Sequence, residues 1–229
     1  MILSATTTGI SPKEFIAQYG DDQRYELIDG ELIEMEPTGP HEQVVALISR
    51  KLNVEIDGLD VPYFIPHRCL IQPLGALSNG RGTRPWVAPL GTFNAFRPDL
   101  VVLDEGELLN EPLWAREPVI TLGTTVKLVV EVVSTNWQND YARKYEDYEA
   151  LGIPEYWIVD YIGIGGKYFI GSPKQPTVTV CCMVNDQYQK VMFRRGDCLK
   201  SSLFPNLKLL TDQLFIGLDP GNGEGSSGC

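Results

Sequence analysis

The order of apolar and polar positions along the chain predicts a series of short elements. Ser11-Pro12-Lys13-Glu14 predicts a helix start: a serine cap, proline at the first helical position and glutamate three residues after the cap. That helix should stop near Gly20. Two alternating runs flank Asp29-Gly30 and predict a tight β-hairpin, with Glu26 and Ile28 on one face of its first strand. His41 opens a helical pattern over residues 41–56, with Val44, Ala46, Leu47, Ile48, Leu52 and Val54 as its apolar positions. A strand is expected within 61–72. A long loop rich in glycine and proline follows over 73–96.

Beyond it lie two apolar, β-branched runs of strand length, 100–103 and 127–133. A polar helix is expected over 136–151, stopped by Gly152-Ile153-Pro154. A strand over 155–160 comes next, then a hairpin from 177–184 and 188–195 about Asn185-Asp186. Residues 204–215 should pack back on the core, and the Gly/Ser-rich segment 217–229 should be a disordered tail. The core therefore reads helix, strand, strand, strand, helix, strand between His41 and Asp160. This predicts an α/β (α+β) fold forming one domain over 1–216. It would have a central mixed sheet flanked by helices, a β-hairpin before it and β additions after it.

Composition narrows the class. The chain has 229 residues, 43% of them hydrophobic, enough for one α/β domain with a full core. No apolar run approaches the ~18 residues of a membrane span, and the first residues lack the basic start and apolar centre of a signal peptide. Five cysteines without a Cys-x-x-Cys or Cys/His cluster fit reduced thiols and a cytoplasmic protein. The net charge of −11 opposes a nucleic-acid partner at first sight. Its distribution is uneven, however. Residues 61–98 hold four arginines and no acid, and residues 161–196 hold five bases and one acid. Either segment could face phosphates, or be no more than solvated loops.

The candidate chemistry lies between Arg97 and Lys144. Asp99 and Glu131 each sit in or beside an apolar strand, where an isolated carboxylate costs several kcal/mol unless paired, hydrogen-bonded or bound to a cation. Two such carboxylates on neighbouring strands, with a lysine on the next helix, suit a magnesium-dependent phosphodiester-cleaving site. The plainer alternative is a strand-capping aspartate and a glutamate paired with Lys127 or Arg143. Arg143 and Lys144 are consecutive, so they point about 100° apart on a helix. Lys144 shares a side with Tyr141, Tyr145 and Tyr148, whereas Arg143 points toward Asp140 and Asp147 as surface ion-pair partners.

These residues, in this order, resemble the restriction-endonuclease-like PD-(D/E)XK phosphodiesterase superfamily, and within it the Uma-type family. The resemblance is carried by Tyr25-Glu26-Leu27 with Gly30-Glu31, His41, Pro98-Asp99, Val130-Glu131-Val132 with Ser134, Lys144, Tyr148 and Glu155-Tyr156-Trp157-Ile158-Val159-Asp160. It covers roughly residues 11–215. One departure stands out: the parent motif places its lysine two residues after the acidic residue, which here is Val133.

The resemblance implies that Lys144, one helix further on, supplies the cation instead. It implies a DNA endonuclease in which Asp99, Glu131 and the backbone carbonyl of Val132 hold Mg²⁺ or Mn²⁺. Glu26 and His41 are candidates for a second metal position or for proton transfer. DNA is the expected partner, no membrane is expected, and a homodimer is left open. Replacing Lys144 by Met is expected to lower Mn²⁺-dependent cleavage by about 10²-fold or more while leaving metal binding and folding nearly intact. Two other readings use the same residues: a catalytically silent nucleic-acid-binding module on the nuclease fold, and an unrelated hydrolase of a smaller phosphate ester.

Overall fold

The first helix, α1 (Pro12–Tyr19), begins at the expected cap: Ser11 Oγ accepts from the Glu14 amide, and Glu14 reaches back to the Ser11 amide. The computed structural model describes residues 9–73 and 94–216. Most of the 73–96 loop, with Arg81 and Arg84, and the 217–229 segment lie outside the described residues. The hairpin of β1 (Tyr25–Ile28) and β2 (Glu31–Glu34) turns at Asp29 and Gly30, with φ of 52° and 80°. Two consecutive positive φ values make a type I′ turn, whose twist matches that of the strands.

The second helix, α2 (Gly39–Leu59), is longer than the apolar pattern indicates, because Thr38 caps it and Pro40 sits in its first turn. Its buried face is His41, Val44, Ile48, Leu52 and Ile56. Val54, expected inside, is 63% exposed, since it falls off this three-and-four spacing.

The strand expected within 61–72 divides into β3 (Tyr63–Phe64) and β4 (Leu70–Ile71). Pro62 and Pro66 remove ladder donors on either side of β3 and prevent one continuous strand. β3 joins the edge of the main sheet. β4 pairs in parallel with β6 (Val119–Ile120), a small sheet not foreseen in the sequence.

The main sheet has six strands. β3 is followed by β5 (Leu100–Asp104), β7 (Val126–Val132), β8 (Glu155–Asp160), β9 (Thr177–Val184) and β10 (Gln187–Phe193), in the order β10-β9-β8-β7-β5-β3. Only β7 and β8 run parallel; every other pair is antiparallel, so the sheet is mixed. The β9–β10 hairpin turns on Asn185 and Asp186, both at positive φ.

The crossover between the parallel strands begins with a widened π turn over Asn139–Arg143 and continues as α3 (Lys144–Leu151). A short helix, α4 (Lys167–Ile170), lies between β8 and β9. Alternate strand residues divide the core between two faces. Val102, Val130, Trp157 and Val180 pack on one face with α2 and with Phe204, Leu209 and Leu214 of the returning C-terminal segment. Val101, Val129, Tyr156 and Ile158 pack on the other with Tyr141 and Tyr148. The expected return of 204–215 onto the core is thus met by an irregular segment with one 3-10 turn. Cys69, Cys181 and Cys182 are free thiols, whereas Cys198 is disulfide-bonded, so reduced thiols throughout is corrected at that position.

Candidate active site

Register places the first two carboxylates. Leu100 pairs with Val130 across β5 and β7, so Asp99 and Glu131 fall opposite one another at the carboxyl end of β7. Glu131 points to the α3 face and is 2% exposed. Asp99 lies at the strand mouth with its side chain 21% exposed. Its Oδ2 accepts from the Val132 amide at 2.7 Å, which fixes the carboxylate against β7.

Lys144 opens α3 directly beneath. Its Nζ donates to Glu131 Oε2 at 3.0 Å and lies 3.2 Å from Glu26 Oε2 and 3.4 Å from Asp140 Oδ1. Glu26 comes from β1, whose buried face turns it inward, and its Oε2 also accepts from the Arg97 amide at 3.3 Å. Tyr148, one turn along α3, donates its hydroxyl to Glu131 Oε1 at 2.9 Å. The predicted aromatic side of this helix is therefore real, and the lysine on it is buried at 4% exposure. Val133, at the parent motif's lysine position, is packed in the core at 1%.

His41, at the start of α2, approaches from the other face of the sheet. Its Nε2 lies 3.0 Å from the Val132 carbonyl and 3.3 Å from Asp99 Oδ1. Both neighbours are acceptors, so Nε2 carries the proton and donates. Burial disfavours the imidazolium, but the hydrogen bond and charge of Asp99 outweigh it, and the net shift of the ring is upward.

Asp99, Glu131, Lys144, Glu26, His41 and Val132 are thus gathered at one strand end. Sequence reasoning missed one member. Asp140 was assigned to a surface pair with Arg143, yet it is buried and faces Lys144, four residues on. That spacing was a legible signal. Arg143 keeps the expected Asp147, at 3.7 Å, and also reaches Asp29 of the hairpin turn at 2.9 Å. It ties the hairpin carrying Glu26 to the helix carrying Lys144. Arg97, expected to face phosphates, is buried; its guanidinium donates to the Tyr25 and Gly20 carbonyls. On the later hairpin Lys190 sits 3.9 Å above the Tyr145 ring, and Arg194 donates to the Ile170 carbonyl.

The electrostatics follow from the count of charges. Four carboxylates surround one lysine and one histidine. Burial lowers the tendency of Lys144 to hold its proton, but Glu131, Glu26 and Asp140 together outweigh it, so the ammonium is retained. Burial pushes Glu131 above the usual carboxylate range, with Asp99, Asp140 and Glu26 adding to the rise and Lys144 opposing it. Asp140 is pushed up to about 7, first by burial and then by its carboxylate neighbours.

This excess of buried negative charge fits a hard divalent cation. Asp99, Glu131 and the Val132 carbonyl are all-oxygen donors at one strand end. Among the described residues no three His, Cys, Asp or Glu side chains form a ready-made metal cage. Substrate oxygens and water would have to complete the shell, as is usual for magnesium.

Sheet order, crossover helix and buried carboxylate cluster together define a protein of the restriction-endonuclease-like fold. A family model described as "Uma2: Putative restriction endonuclease" matches residues 12–212, and the chain belongs to that family. Among solved structures it is similar to one described as a putative nuclease belonging to DUF820 from Anabaena variabilis ATCC 29413. The two share 16% identity at a TM-score of 0.60, covering 90% of this chain and 97% of that one. At that identity the likeness shows the fold. No curated protein matches the chain. Family membership makes this a nuclease-family protein, and the resemblance carried by its motifs holds.

Proposed function

We propose that this protein is a divalent-metal-dependent endonuclease that hydrolyses phosphodiester bonds of DNA, with Mg²⁺ or Mn²⁺ held by Asp99, Glu131 and the Val132 carbonyl. The observation that carries this reading is the single buried ammonium of Lys144 among Glu131, Glu26 and Asp140, beside the more exposed Asp99. A bound divalent cation would supply Lewis-acid polarisation of the phosphoryl oxygen and a lower pKa for water.

The chain's own residues do the rest. Lys144, held by three carboxylates, presents positive charge where negative charge grows on the phosphoryl oxygens. Tyr148 orients Glu131 through Oε1 and leaves Oε2 to the lysine. His41 is a positioning residue: it donates toward Asp99 and the Val132 carbonyl from the far face of the sheet. Glu26 and Asp140 hold Lys144 in place and supply the proton-accepting capacity of the cluster.

The test is cleavage of a DNA oligonucleotide with and without Mn²⁺. Wild type should cut only with the metal, and Asp99→Asn should cut at least about 10²-fold more slowly. Metal-independent cutting, or equal rates in the two proteins, would overturn the reading.

A further inference from the structure

A hollow of about 110 Å³ opens beside the carboxylate cluster, at the carboxyl ends of the parallel strands β7 and β8. His41 belongs to both: it lines the hollow, and its Nε2 is 3.3 Å from Asp99 Oδ1. Val133, the residue after the Val132 carbonyl, forms part of the floor. Tyr161, Ile162 and Ile164 close the other side. Asp160 accepts three backbone amides, from Gly163, Ile164 and Gly165 at 2.8, 3.0 and 2.8 Å, and so folds the chain over the strand end. Gly165 is required there, since a Cβ would sit 2.9 Å from Asp160 Oδ2. Ile162 is left 40% exposed at the rim.

The lining decides what the hollow can take. By area its walls are largely apolar, with the Thr38, Ser134 and Thr135 hydroxyls and the His41 ring among them; no lysine or arginine lines it, and Glu36 adds a carboxylate at its edge. A phosphate would meet no lysine or arginine there and one repelling charge. A neutral heteroaromatic ring would meet aliphatic side chains and a tyrosine, with Glu36 able to accept from an amino group. At about 110 Å³ the hollow is smaller than the closed ~150 Å³ cavity that accommodates benzene, so a single flat ring enters it edge-on from the open side and is not fully enclosed.

Among the described residues, Arg97 and Arg143 are engaged with protein groups, and Lys174 donates to the Ile164 carbonyl, so these cations offer a ground-state phosphate few free donors.

We infer that this hollow seats one unstacked nucleobase of the nucleotide flanking the scissile phosphate, which makes single-stranded or locally unpaired DNA the substrate. The inference rests on the nuclease reading for the position of the phosphate. A base inside a stacked duplex does not reach such a pocket without being turned out. Base contacts with apolar and aromatic side chains are also tolerant of sequence.

Two measurements on the full chain test it. In the first, 2′-deoxycytidine is titrated into protein with labelled isoleucine methyls. The Ile162 and Ile164 resonances should shift, and deoxyribose 5-phosphate should leave them unmoved. Thr135→Trp fills the hollow from an exposed position and should abolish the shift. Ile162→Glu, at another exposed position, is the second variant should the first fold poorly. No shift with the nucleoside, a shift that survives both substitutions, or an equal shift with the sugar phosphate would overturn the assignment.

In the second, kcat/KM is compared for a single-stranded oligonucleotide, its duplex, and a single strand with one abasic position at the cleavage site. The intact single strand should be cut about 10-fold or more faster than either of the others, in line with the contribution of one stacked base. Equal cutting of intact and abasic strands would remove the pocket from the mechanism and leave the nuclease reading standing. Absence of all cutting with nucleoside binding retained would do the reverse.

Discussion

Two sets of buried carboxylates in this molecule are held in opposite ways. Glu111 accepts from the amides of Thr121 and Leu122 and the hydroxyls of Thr121 and Thr125. Glu155 accepts from the Trp157 indole and from the amide and hydroxyl of Ser202. Asp160 accepts three loop amides. Each of these pins a loop or segment to the sheet with neutral donors. The cluster at the end of β7 is supplied differently: Glu26, Glu131 and Asp140 converge on one ammonium, with Asp99 alongside. Burial of a carboxylate alone thus does not set the two sets apart. Mutual proximity around one ammonium does, and a further cation or a proton would relieve it.

The comparison is broken most severely at Lys144. Lys144→Met should lower Mn²⁺-dependent cleavage by about 10²-fold or more. The expectation that it spares folding is revised by the structure: removing the one cation leaves three buried carboxylates uncompensated, at a cost of about 3–5 kcal/mol. Adding Glu131→Gln to that variant should recover part of the lost stability in urea unfolding without recovering cleavage. If the double variant is no more stable than the single one, the cluster is not short of positive charge.

Metal should act on one set only. Mn²⁺ at about 100 times its Kd should stabilise the wild type by about 2.7 kcal/mol through linkage. The accompanying rise in melting temperature should shrink in Asp99→Asn. Glu111→Gln should retain it in full. A gain of equal size in wild type and Asp99→Asn would place the metal elsewhere.

Glu111→Ala probes the neutral-donor set. It leaves the buried Thr121 amide, the half-buried Leu122 amide and two hydroxyls without an acceptor and should cost about 1–3 kcal/mol for the first donor exposed to this loss, with somewhat more for the set. Cleavage measured well below the melting temperature should stay at the wild-type rate. A large loss of rate there would mean the loop it pins reports to the site.

The last effect is confined to one window of pH. Asp147 is pushed up to about 6 by burial, against the opposing charge of Arg143 and the Asn94 hydrogen bond. A carboxyl raised in the folded state is favoured when protonated. Its ionisation therefore costs stability as pH rises from about 4 to about 6, and the cost is constant above that window. Wild type should lose about 3 kcal/mol relative to Asp147→Asn across it, by the usual 1.36 kcal/mol per unit. The readout is the change in the difference between the two unfolding free energies. Parallel pH profiles would contradict it.

Much of this protein was legible in its sequence. Asp29-Gly30 and Asn185-Asp186 specified their hairpins because few residue pairs adopt two positive φ values in succession. Ser11 and Glu14 specified the start of α1, and the apolar β-branched runs specified β5, β7 and β8. Asp99 and Glu131 stood out because charge in such a run demands a partner. Lys144 could be chosen over Arg143 from helical spacing alone.

What the sequence by itself left undetermined is what depends on the meeting of distant segments. Glu26 is 105 residues from Glu131, and only the packing of the hairpin against α3 makes them share Lys144. Asp140 faces Lys144, and Arg143 reaches Asp29 besides the expected Asp147, because the packing of the hairpin against the widened turn decides which charges meet. Arg97 reads as a phosphate-binding arginine by composition, yet it is buried against the carbonyls of Tyr25 and Gly20. Local propensity and pattern are properties of a few neighbouring residues, so a single chain segment carries them. Charge balance in a buried site is a property of the assembled fold, since it depends on which segments exclude water together.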